Sequence, residues 1–245
     1  MRIAIFSDVH ANMEALLATE YYYSKQKIDY VLCSGDTVGY GGSPDACVDI
    51  VKRMGALSVL GNHDAAVSGM MDYSFYYDAA RRVLDLHVDM LSQENHEWLK
   101  DLPYNRVFKD WDIELCHGSP YRKEEFDYIF TTEQARMLLP QYDSLSRVTF
   151  IGHSHLCKVF VLKGSDVQEQ PADTVDIEDD RKYIISVGSV GQPRDYDNRA
   201  SFTIYDTTTA RVEFHRIEYD IEASANRISA VRLERSFGDR LFLGI

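Results

Sequence analysis

Cys33-Ser34-Gly35-Asp36-Thr37-Val38-Gly39-Tyr40-Gly41-Gly42 follows the apolar run Tyr30-Val31-Leu32-Cys33 and opens into a glycine-rich turn. A short apolar run bounded by turn residues reads as a buried strand. Asp36 then falls at its C-terminal tip, where open α/β sheets place their ligands. Taken alone, such an Asp more often caps its own turn, because its carboxylate readily bonds nearby backbone N–H groups. Four further runs end in the same manner. Ile3-Ala4-Ile5-Phe6 leads into Ser7-Asp8-Val9-His10, and Leu57-Ser58-Val59-Leu60 into Gly61-Asn62-His63-Asp64. Ile113-Glu114-Leu115-Cys116 leads into His117-Gly118-Ser119, and Val148-Thr149-Phe150-Ile151 into Gly152-His153-Ser154-His155. Five strand-like runs thus each deliver oxygen or nitrogen donors at one end, which turn-capping does not explain.

The chain has 245 residues, enough to bury a sizeable core. No linker, low-complexity tract or solenoid repeat divides it, so a single domain over 1–245 is expected, with a helical segment at about 65–102. Twenty-six Lys and Arg against 39 Asp and Glu give a net charge of −13. That balance argues against a general nucleic-acid surface, which needs a positive field. It leaves room for a small phosphorylated substrate, since divalent cations invert a local potential whatever the global sum. Met1-Arg2 runs directly into a strand and no apolar run is long enough for a membrane span, so a cytoplasmic location is the expectation. The four cysteines, Cys33, Cys47, Cys116 and Cys157, lack Cys-x-x-Cys spacing and read as reduced, buried thiols.

Helical patterns follow the first two strands. Asn12 to Gln26 carries Met13, Leu16, Leu17 and Tyr21 on one side, with Asn12 as its cap. Ser43 and Pro44 open a second helix with Cys47, Ile50, Val51 and Met54 along one face. Alternating strands and helices imply parallel pairs with right-handed crossovers. Between Ala65 and Leu102 the residues Ala80, Val83, Leu84, His87 and Leu91 share a face, which makes His87 a core histidine. His215 reads as solvent-facing, and Asp173 to Asp180 reads as an acidic surface loop. Beyond Pro103 strands predominate, joined by short connections that favour hairpins, and a last helix is expected over roughly Ile221 to Arg235.

Residues two apart in a strand project to one face, so Asp8 and His10 can meet one ion, and His153 and His155 one cavity. Asp36 has two oxygens and can hold one ion with each, fixing a separation near ~3.5–4 Å. Oxygen and imidazole donors without thiolate suit Mn, Fe or Zn.

Ser7-Asp8-Val9-His10, Gly35-Asp36, Gly61-Asn62-His63-Asp64, His117 and Gly152-His153-Ser154-His155 together resemble the motif set of the calcineurin-like metallophosphoesterases. The resemblance implies a four-layer α/β/β/α sandwich of two mixed sheets flanked by helices, with the site at strand ends. It implies two divalent metal ions, one held by Asp8, His10, Asp36 and His155, the other by Asp36, Asn62, His117 and His153. A water or hydroxide shared by the ions would attack phosphorus, with His63 serving the leaving oxygen and Asp64 orienting the His63 ring. Ala11 stands where glycine often follows the first His, and Ala fits most backbone conformations except φ > 0. The arginine that protein Ser/Thr phosphatases place beyond Gly-Asp is missing, with Thr37-Val38-Gly39-Tyr40 there, and Asp64 ends what is Gly-Asn-His-Glu in those enzymes, so a phosphoprotein substrate is not expected.

Gly188-Ser189-Val190-Gly191-Gln192-Pro193-Arg194 resembles a stretch of bacterial members similar to small phosphodiesterases and dinucleoside polyphosphate hydrolases. Its glycines permit approach to an anion and Arg194 offers a fork for phosphate; the other reading is a tight turn whose arginine pairs with Asp195 or Asp197. Ser119 to Phe130 mixes Tyr121, Arg122, Lys123, Phe126 and Tyr128, which would stack a nucleobase and meet a polyphosphate, although ordinary loop packing accounts for the same residues. Tyr73, Phe75, Tyr76 and Tyr77 read as a wall over a cleft or as a subunit contact, and oligomerisation stays open. The function expected is hydrolysis of a phosphodiester or a dinucleoside polyphosphate. The alternatives are a binding scaffold, a use one retromer subunit makes of this fold, and a metal-dependent nuclease, which the net charge disfavours.

Overall fold

The computed structural model describes residues 1–245. Two six-stranded mixed sheets lie face to face. The first has the order β3-β2-β1-β11-β12-β9 and the second β4-β5-β6-β10-β7-β8. In the first, β1 (Arg2–Phe6), β2 (Tyr30–Cys33) and β3 (Leu57–Ser58) run parallel, joined through α1 (Met13–Ser24) and α2 (Pro44–Arg53). β11 (Ala200–Asp206), β12 (Arg211–Ile217) and β9 (Thr174–Asp176) extend that sheet antiparallel. In the second, β5 (Ile113–Cys116), β6 (Val148–Ile151) and β10 (Lys182–Val187) are parallel, flanked by antiparallel β4 (Asn105–Phe108), β7 (Cys157–Lys163) and β8 (Asp166–Gln170).

Period-two alternation explains the layering. Ile3 and Ile5 of β1 enter the core between the sheets with Leu32, Leu115, Phe150, Ile185 and Tyr205. Ala4 and Phe6, one residue out of phase, face the helices and meet Leu16, Tyr23, Cys47, Val51 and Phe202. On the far side of the second sheet Cys116, Ile151, Phe160 and Ile184 cover Ala135 and Leu138. Both faces of each sheet are therefore apolar, and each fully buried Ile or Phe contributes about 1.5–3 kcal/mol. The result is the four-layer sandwich, although the outer layer on the second sheet is thin: α6 (Thr132–Arg136) and short 3-10 turns.

Local expectations fare unevenly. Asn12 caps α1 by accepting from the Ala15 N–H. Ser43 occupies the cap position of α2 without making a side-chain cap bond. The buried side of α1 is Ala15, Leu16, Thr19 and Tyr23, while Leu17 and Tyr21 face out. The expected loop at Asp173–Asp180 contains β9, which closes the sheet edge against β12. The expected last helix is two, α7 (Ile221–Ala230) and α8 (Arg235–Leu243), broken where Arg232 turns to φ 60°. His215 is half-buried and stacks on Phe202 at 5.1 Å. Cys33, Cys47 and Cys116 are buried, Cys157 is half-buried, and all four are free. No helix is long and apolar enough to cross a membrane.

The 65–102 region forms α3 (Asn62–Val67), α4 (Asp78–Met90) and α5 (Gln93–Lys100), with an aromatic connection between the first two. His87 of α4 is fully buried and pins the turn after Asp36. Its Nδ1 accepts from the Gly39 N–H at 3.1 Å, which leaves the proton on Nε2, donated to the Gly41 carbonyl at 3.0 Å. Burial lowers this histidine to about 4 from the ordinary 6.5. A depressed imidazole stabilises the fold fully above about pH 6.5 and loses that contribution as pH falls toward 4. The loss amounts to about 3 kcal/mol. Unfolding free energies of the wild type and His87→Gln, measured from pH 7.5 to 4 in metal-free buffer, should therefore converge by about that amount on acidification; a constant gap would show that His87 does not titrate with unfolding.

Candidate metal centre

The donors sit on loops that leave the C-terminal ends of parallel strands in both sheets. Strand geometry does not bring them together. Asp8, His10, Ala11, Asp36, His153 and His155 all adopt left-handed backbone, with φ between 47° and 64°. The two-apart rule expected for Asp8 and His10 is replaced by tight turns that curl each side chain back over the sheet ends. Cross-loop hydrogen bonds hold these turns: Asp8 N–H to the Gly35 carbonyl (3.0 Å), His10 N–H to Asp36 (3.0 Å) and Ala11 N–H to Thr37 (2.9 Å). Ala11 thus sits at φ 52°, the one region its side chain disfavours.

Three donor atoms converge at one end of the site. His10 Nδ1–H donates to the Val38 carbonyl (3.0 Å) and His155 Nδ1–H to the Gln192 carbonyl (2.6 Å). Each ring is thereby left with a bare Nε2, and the two Nε2 atoms face one another at 3.0 Å. Asp8 Oδ1 joins them, 3.4 Å from His155 and 3.7 Å from His10. Burial holds both imidazoles well below their usual range, so neither brings a second proton. Lone pairs aimed at lone pairs repel unless a cation lies between. Donors at 2.0–2.2 Å from an ion, at angles of about 90–110°, stand roughly 2.8–3.6 Å apart, which takes in the 3.0 and 3.4 Å separations and lies just under the 3.7 Å between Asp8 and His10.

The second group forms around His117. Its Nδ1–H donates to the Ser34 carbonyl (2.7 Å), and its Nε2 lies 3.0 Å from Asn62 Oδ1, 3.1 Å from His153 Nδ1 and 3.3 Å from Asp36 Oδ2. Burial opposes charge on His117, but the Asp36 carboxylate outweighs it and raises the imidazole to about 9. One proton then serves three acceptors, the place a divalent ion would take by displacing it. Asp36 Oδ2 reaches the first group through His10, whose Nε2 is 3.7 Å away. Its other oxygen, Oδ1, accepts the His63 N–H at 2.8 Å, so the two ends share one oxygen and not one each as expected. Asp8 is anchored similarly: the His153 N–H donates to its carboxylate at 3.0 Å to Oδ2. Burial, with Asp36 adding to it, raises Asp8 to about 7. A donor set of carboxylates, imidazoles and an amide, with donor atoms converging in groups, fits divalent metal ions.

His63 is buried with an unpartnered Nδ1, edge-on to His10 and tilted against Tyr40. It lies near enough to His10 and Asp36 to form a third donor grouping, but unlike them it lines an open cleft. Gly39, at φ 101°, makes this possible, since a Cβ there would stand 2.4 Å from the His63 ring. Burial lowers His63 to about 4. Asp64 does not orient it. The Asp64 oxygens accept the Val38 and Gly61 N–H groups, both at 3.2 Å, capping α3 and holding the Asp36 turn.

Arg194 stands over Tyr40 at 5.5 Å and donates to Gln192 Oε1, with its Nε buried and unpartnered. Asp195 and Asp197, its expected partners in a plain turn, pair instead with Arg216 and Arg199. The glycines of 188–191 serve packing within the protein: Gly188 lies against the Cys157 and Ser201 side chains and Gly191 against the Val9 backbone, while the Val190 and Gly191 N–H groups donate to the Ser7 and Asp8 carbonyls. Tyr121 and Arg122 stay outside the cleft, Tyr121 exposed and Arg122 bound to Asp127 at 2.6 Å. Tyr128 takes the inner position, stacked on His153 at 3.7 Å. Tyr76, expected only as part of a wall or a subunit contact, accepts from Asn62 Nδ2 at 2.7 Å and thereby turns Asn62 Oδ1 toward His117. No periodicity links positions 62 and 76, so nothing in the chain order announces that bond.

A sequence model of calcineurin-like phosphoesterases matches residues 1–157. The uncharacterized protein MJ0912 of Methanocaldococcus jannaschii is 35% identical over 99% of this chain and 98% of its own length. A metallophosphoesterase from Sphaerobacter thermophilus is 33% identical, with a TM-score of 0.85 over 100% of this chain and 99% of that one. The hypothetical protein PH1004 from Pyrococcus horikoshii OT3 shares the fold at 20% identity, with a TM-score of 0.80 over 100% and 98% of the two chains. The four-layer sandwich, the paired donor groups at its strand ends and these likenesses agree: the chain belongs to the calcineurin-like phosphoesterase family.

Proposed function

We propose that this protein is a phosphohydrolase that uses two divalent cations to cleave a phosphodiester or a dinucleoside polyphosphate, and that residues 1–245 serve it as one domain. The observation that carries the reading is the position of Asp36 Oδ2 between two groups of convergent donor atoms, 3.7 Å from His10 Nε2 and 3.3 Å from His117 Nε2. Asp8, His10, Asp36 and His155 would hold one ion, and Asp36, Asn62, His117 and His153 the other. Such a pair, when bound, supplies positive charge against phosphoryl oxygens and lowers the pKa of water.

The remaining steps fall to the chain. Backbone carbonyls of Val38, Ser34 and Gln192 each accept the Nδ1–H of one imidazole and so aim its Nε2 at the site. Tyr76 keeps the Asn62 amide from flipping. His63, beside Asn62 and facing the cleft, gives a proton to the leaving oxygen or stabilises it. Arg194 directs a guanidinium toward the same space, its charge felt at His10, His63, His153 and His155, and meets a non-bridging phosphate oxygen. A scaffold without chemistry has no use for an unpartnered His63 between the donors and the cleft.

Replacing His63 by Ala should lower kcat on a simple diester by roughly 10²–10⁴-fold with two ions per chain retained by elemental analysis; turnover at the wild-type rate would remove His63 from the reaction. Tyr76→Phe frees the Asn62 amide, so metal titration should show one of two binding steps weakened roughly 10–100-fold and the other unmoved. Two unchanged steps would leave Tyr76 a wall residue only.

A further inference from the structure

Beside His63 and His153 opens a cavity of about 490 Å³, within the range of small-molecule sites. Its walls come from two connections. Phe75, Tyr76 and Tyr77 descend from the segment between α3 and α4, and Phe126 and Tyr128 from the loop after β5. Phe75 is 74% exposed, Tyr77 55% and Tyr128 45%, so broad ring faces stand open to solvent at the mouth. A larger cavity of about 620 Å³ lies along α4, but no donor or His63 lines it.

The charges in the wall decide what the cavity can take. Glu125 and Asp127 are its carboxylates, and no lysine or arginine lines it. Arg122, the nearest guanidinium, is bound to Asp127 and lies outside the lining. Arg194 stands over Tyr40 at the inner end of the lining, and its charge is felt at His63, His153 and Tyr128. Arg194 can meet the first phosphate, but a polyphosphate chain running on outward through this cavity would meet aromatic faces and a carboxylate, with no lysine or arginine in the wall to replace its solvation. An uncharged ring would stack there at no such cost.

Resting on the hydrolase reading above, we propose that this cavity is the leaving-group subsite and selects phosphodiesters bearing an uncharged aromatic ring, aryl or nucleobase, close to the scissile phosphorus, in preference to dinucleoside polyphosphates. His63 lines the same cavity, which sets the departing oxygen between the metal donors and the rings.

Calorimetric titration of the manganese-loaded His63→Ala protein, in which turnover is slowed as above, tests this through binding. Diphenyl phosphate or the dinucleotide ApA should bind at least tenfold tighter than dimethyl phosphate, the effect expected of one or two stacked rings, and diadenosine tetraphosphate no tighter than ApA. Whichever of the first two binds better identifies the ring as aryl or nucleobase. Phe75→Ala, at an exposed position that should not threaten folding, should shrink the gap over dimethyl phosphate severalfold. Equal affinities for all diesters, a gap untouched by Phe75→Ala, or tenfold tighter diadenosine tetraphosphate would each overturn the proposal. Absence of hydrolysis of every ester by the wild type, with ring-selective binding intact, would overturn the hydrolase reading and leave the subsite standing.

Discussion

Everything in the site depends on backbone held in the left-handed region at Asp8, His10, Ala11, Asp36, His153 and His155. Each such residue costs about 1–2 kcal/mol relative to right-handed or extended backbone. An extended continuation of β1 would carry Asp8 and His10 away from the sheet edge along the strand. The positive φ values turn the chain instead, so that donors from two sheets meet over the gap between them. What sustains the turns is the row of N–H to carbonyl bonds between the loop after β1 and the loop after β2, which prolongs their parallel pairing past the last strand residue. The inter-sheet core below, closed by Ile5, Leu32, Leu115 and Phe150, keeps the four strand ends at fixed distances. The cost of the turns is local and the compensation is spread through the sandwich.

Burial adds a second tension. Asp8 and Asp36 lie together among four imidazoles with almost no exposure, and burial with mutual repulsion raises Asp8 while the imidazoles hold Asp36 down. Each carboxylate spends part of its capacity on a backbone N–H and presents an oxygen to the histidines. Each of three histidines spends Nδ1 on a carbonyl and presents Nε2. A folded state that orders so many acceptors toward one another is stabilised by whatever cation enters, because the unfolded chain has no such arrangement to offer.

The strand ends were legible because burial on both faces of a parallel strand leaves an unbroken apolar run, and the first polar residue after it marks the sheet edge. That logic places Asp8, Asp36, Asn62, His117 and His153 at the tips of their strands. It says nothing about how the loops turn, and the strand rule applied to Asp8 and His10 gave the right neighbours for the wrong reason. Asp64 shows the limit of adjacency: its neighbour in sequence is His63, but the first turn of a helix offers unpaired N–H groups that a carboxylate satisfies first. Tyr121 and Tyr128 could not be told apart by composition. Only the 3-10 turn Lys123–Glu125 and the buried Phe126 decide which ring enters the cleft.

Residues beyond the span of the family match are as much a part of the site as the ligand loops. The Gln192 carbonyl orients His155, the Ser189 hydroxyl donates to the Asp8 carbonyl at 2.8 Å, and the Asn12 amide donates to Gly191 at 2.8 Å. The loop that carries Arg194 is then fastened from the other side by the end of the chain. Tyr196 N–H donates to the Gly244 carbonyl, and Asn198 Nδ2 to that of Phe242. Phe237 of α8 packs at 5.5 Å against Tyr40, the ring over which Arg194 stands. An arginine has several soft torsions, and aiming it at one point needs its loop, its stacking surface and the support behind that surface to be fixed together. Helix α8 and the residue after it fasten the loop and support Tyr40 from behind, so the guanidinium is positioned from that side and the metal donors by the strand ends.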